Sequence, residues 1–243
     1  IPAGVSFTVR HPETEVDTPI VLDQPIDDLL IFVGSAPMTY LGYAGPDGFD
    51  LQGDLFRARI SSDFRGLGPV TDFEPYLGTI TFSDTQPWSY DLNQTHPGTF
   101  DFVSTAIHEI GHILGIGVTD TFRTLSWNDA FHGPNAVAAN GGLPVPLEPD
   151  GKHVLDGHAM DSVAMDPIIY TNTRKLPTDI DLAMLADIGY EIPGFVKQGT
   201  QPAITTPQND ITVFGTAMDD YIDGLSGNDQ PQGYFGFDRL PGG

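Results

Sequence analysis

The segment His108-Glu109-Ile110-Gly111-His112 combines residue types and a spacing that suit metal chemistry. Histidines four residues apart project from adjacent turns of one helical face, so both imidazoles can bind one ion at about 2.0 to 2.1 Å. Glu109 follows the first histidine, where its carboxylate can reach a water on that ion without being a ligand. The alternative interpretation is a helix with two ordinary histidines. Because the chain has no cysteine, any such metal must be held by histidine and carboxylate.

The residues around this segment predict the helix that it needs. From Phe102 onward, apolar side chains recur at intervals of three and four, which is the helical period. They are Phe102, Val103, Ala106, Ile107, Ile110, Ile113 and Leu114. The helix is expected to stop at Gly115 or Gly117, because glycine readily takes the left-handed conformation that ends helices.

The stretch from His108 to Gly115 resembles the start of the metzincin signature of zinc peptidases. In that family the two histidines bind zinc, the glutamate is the general base, and the glycine turns the chain toward a third ligand. Metzincins also carry a methionine turn beneath the zinc, and residues 162–167, Ser-Val-Ala-Met-Asp-Pro, resemble it; we call this segment the Met turn. The resemblance is matrixin-like or serralysin-like and covers roughly residues 80 to 190. It implies that His108 and His112 bind zinc, that Glu109 is catalytic and that Met165 packs under the metal.

The position of the third zinc ligand departs from the family pattern. Three residues beyond Gly115, where the family usually has that ligand, the chain has Val118, which cannot bind zinc. Leishmanolysin-like metzincins insert a segment at this point, and the pattern here resembles such an insertion. His153 is the preferred ligand because it precedes Met165 by 12 residues, which leaves room for the chain to return beneath the metal. The other candidates are His158, His132, Asp120 and a non-protein ligand.

Zinc on three imidazoles keeps one coordination position open, and the pKa of a bound water falls from about 15.7 toward roughly 7. We then expect Glu109 to take a proton as water attacks a peptide carbonyl, and to pass it to the departing amine. The resemblance therefore implies a secreted zinc endopeptidase that acts on protein or peptide substrates. The alternative is a secreted calcium-binding or surface-layer protein whose zinc site is vestigial or structural. An exopeptidase would have to recognise a terminal charge, and no residue cluster demands this.

The C-terminal segment repeats with a period of nine residues. Glycine opens three units, at Gly215, Gly224 and Gly233, and aspartate holds the sixth place of each. The pattern resembles the calcium-binding nonapeptide of RTX proteins, in which aspartates hold calcium between stacked coils of a parallel β-roll. The alternative is a frayed acidic tail or the cut end of a longer roll. The implied calcium ligands are Asp220, Asp229 and Asp238.

The rest of the sequence predicts an α+β fold. Short apolar stretches between Gly, Pro and Asp clusters make residues 1 to about 100 β-rich; they are Val5 to Val9, Leu29 to Val33, Leu55 to Ile60 and Thr79 to Phe82. A second helix should follow its N-cap Thr178, with Asp181 three residues on, and end at Gly189. The expected catalytic domain, residues 1–195, is metzincin-like, with a mixed twisted sheet, an active-site helix and a C-terminal helix. A linker over 196–210 and a β-roll-like fragment over 211–243 complete the chain.

Charge limits the expected partners. The chain has 33 acidic and 10 basic residues, which gives a formal net charge of −23. Such a surface is repelled by phosphate backbones and anionic lipid, so we expect neither nucleic acid nor membrane partners. Dissolved cations are the expected counterpart, which agrees with zinc and calcium as cofactors.

Four further positions have weaker signals. The stretch 78–84 alternates side chains like a strand; it is either the edge strand that pairs with substrate in metzincins or an ordinary interior strand. Tyr170, five residues past Met165, is a candidate for stabilising an oxyanion, as a tyrosine does in some relatives. His11 and His96 are expected to be exposed surface histidines. The pocket that would bind substrate stays unassigned.

Overall fold

The computed structural model describes residues 3–4, 6–25, 29–46, 75 and 77–195, together with four short strands further along the chain. Contacts divide the chain into two units, Ile1–Leu51 with Glu74–Leu185 and Gln52–Phe73 with Ala186–Gly243. The described residues form several small sheets and four helices, so the predicted α+β class is confirmed. The predicted strand at Leu55 to Ile60 lies outside the described residues. None of the described helices has the length and apolar character that crossing a bilayer requires.

A mixed three-stranded sheet carries the site. An antiparallel hairpin of β1 (Ser6–Arg10) and β2 (Asp17–Val21) precedes it in the chain. In the sheet, β3 (Leu30–Ala36) runs parallel to β5 (Leu77–Ser83), and β4 (Gly42–Pro46) lies antiparallel on the other side of β5. Every residue of β5 is buried, so the interior-strand alternative for residues 78–84 is correct and the edge position is wrong. In the described part of this sheet, β4 is the edge strand that follows β5 in the strand order.

The helix predicted from the apolar period is present as α1 (Phe102–Ile113). It is preceded by the paired short strands β6 (Trp88–Ser89) and β7 (Phe100–Asp101). Its apolar face packs on the sheet, where Ile80, Phe82 and Ile113 form a buried cluster. The helix stops at Ile113, and Gly115 follows with a φ of +111°, as the sequence predicted for a glycine terminator.

The long segment after α1 contains small elements of its own. Helix α2 (Asp120–Thr124) is capped by the Thr119 side chain, which accepts a hydrogen bond from Phe122 N. The antiparallel strands β8 (Ser126–Trp127), β9 (Ala130–Phe131) and β10 (Val145–Pro146) follow, with helix α3 (Pro134–Ala139) between the last two. A 3₁₀ turn (His158–Asp161) then leads to the Met turn.

The predicted second helix is α4 (Asp179–Asp187), which begins directly after Thr178. The backbone N–H and the hydroxyl of Thr178 both donate to the Asp181 carboxylate, at 2.7 Å each. The capping signal in the sequence therefore marked the start of this helix correctly.

Four short strands follow residue 195, and they pair in parallel. They are β11 (Ile204–Thr205), β12 (Thr212–Phe214), β13 (Ile222–Asp223) and β14 (Gln230–Gln232). Ile204 pairs with Ile222 and Thr212 pairs with Gln230, so each partner lies 18 residues further along the chain. This offset equals two of the nine-residue units seen in the sequence.

Candidate metal centre

Three histidines bring one ring nitrogen each to a common point. His108 and His112 come from adjacent turns of α1, and His153 comes from the loop after β10. The Nε2 atoms of His108 and His112 are 3.2 Å apart, and so are those of His112 and His153. Each residue can offer one ligand atom, and these three atoms all lie within 4.8 Å of one another. We call this group the three-histidine site.

Hydrogen bonds on the far side of each ring fix which nitrogen carries the proton. The Nδ1 atoms of His108 and His112 lie 2.9 Å from the carbonyl oxygens of Ala164 and Ile116, respectively. The Nδ1 of His153 lies 2.8 Å from a carboxylate oxygen of Asp150. Carbonyl and carboxylate oxygens accept hydrogen bonds, so each Nδ1 must donate its proton to them. In a neutral ring, each Nε2 then presents a lone pair toward the common point.

This arrangement fits a metal better than a hydrogen-bonded cluster. Two Nε2 lone pairs cannot share a hydrogen bond when neither nitrogen carries a proton, yet they face each other at 3.2 Å. Nitrogens about 2.05 Å from one zinc ion at the tetrahedral angle of about 109° would be separated by about 3.3 Å. The observed spacing agrees with that value. The donor set therefore fits zinc with three protein ligands.

Burial keeps two of these rings neutral. Burial lowers the pKa of His108 to about 3. Burial also lowers the pKa of His112 to about 4, and the neighbouring charges of His153 and Lys152 act in the same direction. A metal ligand must be deprotonated, so the local environment favours the form of imidazole that binds a cation.

The Met turn supports the first histidine. The Ala164 carbonyl, which accepts the hydrogen bond from His108, belongs to this turn. The backbone N–H groups of Ala164 and Met165 each donate to one carboxylate oxygen of Asp181, at 3.0 Å. Met165 is buried against α1, and a Cβ at Gly111 would clash with its sulfur, so a larger residue there would displace the methionine side chain. Asp181 on α4 thus positions the turn that holds His108.

A glycine allows the chain to bring His153 to the site. Gly117 has a φ of +77°, and a Cβ there would lie 2.2 Å from the carbonyl oxygen of Lys152. Only glycine combines this conformation with so close an approach. Asp150 then fixes the loop, because one of its oxygens accepts from Lys152 N at 2.8 Å while the other accepts from His153. Although burial acts to raise it, these hydrogen bonds hold the pKa of Asp150 below its ordinary value.

Glu109 is a buried carboxyl group beside the three-histidine site. The residue is only 4% exposed, and a Cβ at Gly42 of β4 would lie 2.9 Å from its Oε1. It forms no hydrogen bond or ion pair with the residues that the structure describes. Burial raises its pKa to about 8. Its oxygens are not among the described side-chain atoms that are fully buried without a hydrogen-bond partner, so they face the adjoining cavity, where a water or a ligand can satisfy them.

A cavity of about 340 Å³ opens over these residues. One wall comes from β4 and the residues before it, including Leu41, Gly42 and Tyr43. The floor comes from α1 and the three-histidine site, and Val118, Lys152 and Ile169 complete the rim. The chain thus leaves open space in front of the Nε2 atoms, next to Glu109.

The start of α1 is fixed by an ion pair between a buried aspartate and a partly exposed arginine, which the sequence did not reveal. Asp101 is the N-cap of the helix and accepts from Ser104 N at 3.0 Å. Arg174 donates to both oxygens of Asp101, at 3.0 and 2.7 Å. Although burial acts to raise it, the hydrogen bonds from Arg174 and Ser104 lower the pKa of Asp101. The helix that carries two of the histidines is therefore anchored to the segment that follows the Met turn.

The other histidines lie outside the three-histidine site. The His158 Nε2 is hydrogen-bonded to Asn140 Oδ1 at 2.8 Å, and the His132 ring stacks on Trp127 with a centroid distance of 3.6 Å. His11 Nδ1 accepts from Glu13 N, and His96 pairs with Asp91.

Tyr170 is half exposed and is not among the described residues that line the cavity. The Asp120 side chain lies outside the described part, as do the three aspartates implied as calcium ligands, Asp220, Asp229 and Asp238.

Sequence reasoning missed three supporting residues. Asp150 and Lys152 are close to His153 in the chain, but nothing in their types showed what they contact. Asp181 was recognised as part of a helix cap, whereas its contacts with the Met turn join segments 16 and 17 residues apart.

No protein-family model matches this chain, and comparisons with curated proteins and with solved structures find no match either.

Proposed function

We propose that this protein is a zinc-dependent endopeptidase of the metzincin type. One observation carries the proposal: the buried, unpartnered Glu109 stands beside three imidazole nitrogens that converge on one point at the floor of a cavity. A purely structural metal site has no use for such a carboxyl group. The sequence pattern from His108 to Gly115 and the Met turn supports the same family.

His108, His112 and His153 would hold the zinc ion. Three histidines with a fourth position open to a cavity are typical of catalytic zinc, whereas structural zinc is closed by a fourth protein ligand. When bound, zinc supplies a Lewis acid that polarises a carbonyl group and makes water a stronger acid. Ala164 O, Ile116 O and the Asp150 carboxylate accept hydrogen bonds from the Nδ1 atoms, and these bonds hold the three rings in the orientation that binding needs.

Glu109 moves the proton. Its carboxyl group accepts a proton from the attacking water and returns it to the amine that leaves. A carboxyl group that borders the cavity can both accept a proton and release it, and Glu109 is the one acidic side chain among the described residues that line this cavity. The reaction needs no covalent intermediate on the protein.

The substrate is proposed to be a peptide in an extended conformation. Strand β4 lies at the described edge of the sheet, and its residues Gly42 to Ala44 line the cavity. An exposed edge can add a peptide strand through backbone hydrogen bonds, which recognise a main chain rather than one side chain. This role belongs to β4 and not to the stretch 78–84. The acidic composition disfavours nucleic acid and anionic membranes as partners.

Calcium binding by the C-terminal segment is a separate part of the proposal, as is an extracellular location. The two parallel strand pairs repeat at an offset of two nonapeptide units, which supports a β-roll-like arrangement. Asp220, Asp229 and Asp238 would be the calcium ligands.

Replacing Glu109 with glutamine tests the enzymatic function. Zinc-loaded wild type should cleave a mixture of quenched fluorogenic peptides, and a zinc chelator should stop the cleavage. Glu109→Gln should keep its zinc and lose about 10²- to 10⁴-fold in rate, because glutamine cannot transfer the proton. Glu13→Gln is the matched control, since Glu13 is exposed and lies outside the cavity lining. A wild-type rate in Glu109→Gln would refute this role, and no cleavage by zinc-loaded wild type would favour the vestigial or structural alternative.

A further inference from the structure

The described lining of the cavity includes one lysine and no arginine. Among the described residues that line it, Lys152 alone is a lysine or arginine, in a chain that has only 10 such residues against 33 acidic ones. The other lining residues are the three-histidine site, Glu109 and uncharged side chains. Lys152 therefore places a positive charge at the cavity of a chain whose charged residues are mostly acidic.

The Lys152 ammonium group has no protein partner in the described part of the chain, and it donates no hydrogen bond there. The other described cations differ in this respect, because Arg10, Arg174 and Lys175 form ion pairs with Glu15, Asp101 and Asp166, respectively. Arg123 also has an interaction within the protein. Among the described lysine and arginine residues, Lys152 is thus the one whose charged group is available to bind a substrate group.

The backbone of Lys152 is held in place, although its side chain is exposed. Its N–H donates to Asp150 at 2.8 Å, and its Cα and carbonyl group lie so close to Gly117 that a Cβ there would be 2.6 Å from the Cα. The next residue, His153, belongs to the three-histidine site. The root of the lysine side chain is therefore fixed beside the metal centre.

On these observations, and resting on the function proposed above, we propose that Lys152 binds a carboxylate of the peptide substrate. The enzyme would then prefer peptides that have an acidic group close to the cleaved bond. The carboxylate is either the side chain of an internal glutamate or aspartate, or the free C-terminus of a short peptide. In the described part of the chain, the Asp150 carboxylate contacts Lys152 N and His153 Nδ1 and forms no ion pair with the Lys152 side chain.

Peptide series distinguish these sources. The first series places a single glutamate, or the isosteric glutamine, in turn at each of three positions on either side of the cleaved bond, in peptides blocked at both ends. The second series compares free and amidated C-termini at increasing distance from the bond. Wild type should cleave the glutamate peptide about 3- to 10-fold faster in kcat/KM than its glutamine partner at one position, or the free acid faster than the amide.

Two variants assign the preference to Lys152. Lys152→Gln should abolish it, and Lys152→Glu should reverse it toward a lysine at the same position. Rates are expressed per bound zinc, so that an effect on the adjacent His153 does not enter the comparison. Arg123→Gln removes a charge of the same sign outside the cavity lining and should keep the preference.

The outcomes separate this inference from the proposed function. Cleavage by wild type without any preference for a carboxylate would overturn the inference alone. A preference of wild-type size in both Lys152 variants would also overturn it. Cleavage of none of the peptides would overturn the proposed function and this inference with it.

Discussion

Replacing Asp150 with asparagine should weaken zinc binding without changing a proposed ligand. Two of the three histidines are oriented by backbone carbonyl groups, which substitution cannot remove, whereas His153 is oriented by the Asp150 side chain. Its two oxygens accept from His153 Nδ1 and from Lys152 N, both at 2.8 Å. Asparagine has one oxygen and a donating amide, so it can satisfy only one of these two donors.

The expected size of the effect follows from this geometry. Loss of a group that supports a metal ligand costs about 10- to 100-fold in metal affinity. Because asparagine keeps one acceptor, we expect the lower end for Asp150→Asn, about 10-fold or about 1.4 kcal/mol. Asp150→Ala removes both acceptors and should approach the upper end, about 100-fold. Burial of Asp150 adds little to the loss of zinc affinity, since its side chain is 46% exposed.

The assay is competition for zinc between the protein and a chromophoric chelator of known affinity. Asp91→Asn is a closely matched control, because Asp91 also accepts from the backbone N–H two residues on, at 2.8 Å, and from a histidine, His96, at 3.2 Å. That pair lies away from the three-histidine site, so its loss should leave zinc affinity unchanged. Equal zinc affinity in Asp150→Asn and wild type would refute the role of Asp150, and an equal loss in Asp91→Asn would show that the effect is general.

Two further predictions concern the residues that hold the site together. Asp181→Asn should lower the free energy of unfolding by about 1–3 kcal/mol and weaken zinc binding, because it leaves a Met-turn N–H unpaired and loosens the turn that orients His108. The control is Asp179→Asn, since Asp179 is exposed on the same helical turn. Measured by chemical denaturation and chelator competition, this control should change neither stability nor zinc affinity. The pKa of Asp101 is lower in the folded protein than in the unfolded chain, so the ionised carboxylate stabilises the fold. This contribution to the free energy of unfolding is complete above the ordinary aspartate pKa, and it is lost as the pH falls through the lower pKa of the folded state. Because of the contacts with Arg174, the free energy of unfolding of Asp101→Asn should be about 1.5–3 kcal/mol lower than that of wild type at neutral pH. This difference should shrink on acidification. A difference that stays constant with pH would contradict the role of the Asp101 carboxylate.

Local patterns in the sequence predicted the elements whose formation depends on neighbouring residues. The apolar period located α1, and Thr178 located the start of α4, because a helical face and a cap each depend on residues within a few positions. The spacing within α1 also brought His108 and His112 together for the same reason. The choice of His153 over His158 rested on chain length alone, and the structure places His153 with the other two histidines.

Features that depend on distant segments were not predictable. Strand β4, Gly42–Pro46, is composed mostly of Gly and Pro with one Ala and one Tyr, so neither alternation nor β-branched residues marked it. Alternation could not decide whether residues 78–84 form an edge or an interior strand, because that depends on which strands flank it. The contact of Asp181 with the Met turn and the pairing of Arg174 with Asp101 arise only when separate segments meet in the fold.

Zinc stoichiometry in histidine variants tests the central claim most directly. Wild type, His153→Ala and His158→Ala are saturated with zinc, dialysed in the presence of calcium and analysed for metal. We predict about one zinc per chain in wild type and in His158→Ala, and none above background in His153→Ala. A full equivalent of zinc in His153→Ala, or no stoichiometric zinc in wild type, would contradict a centre built from His108, His112 and His153.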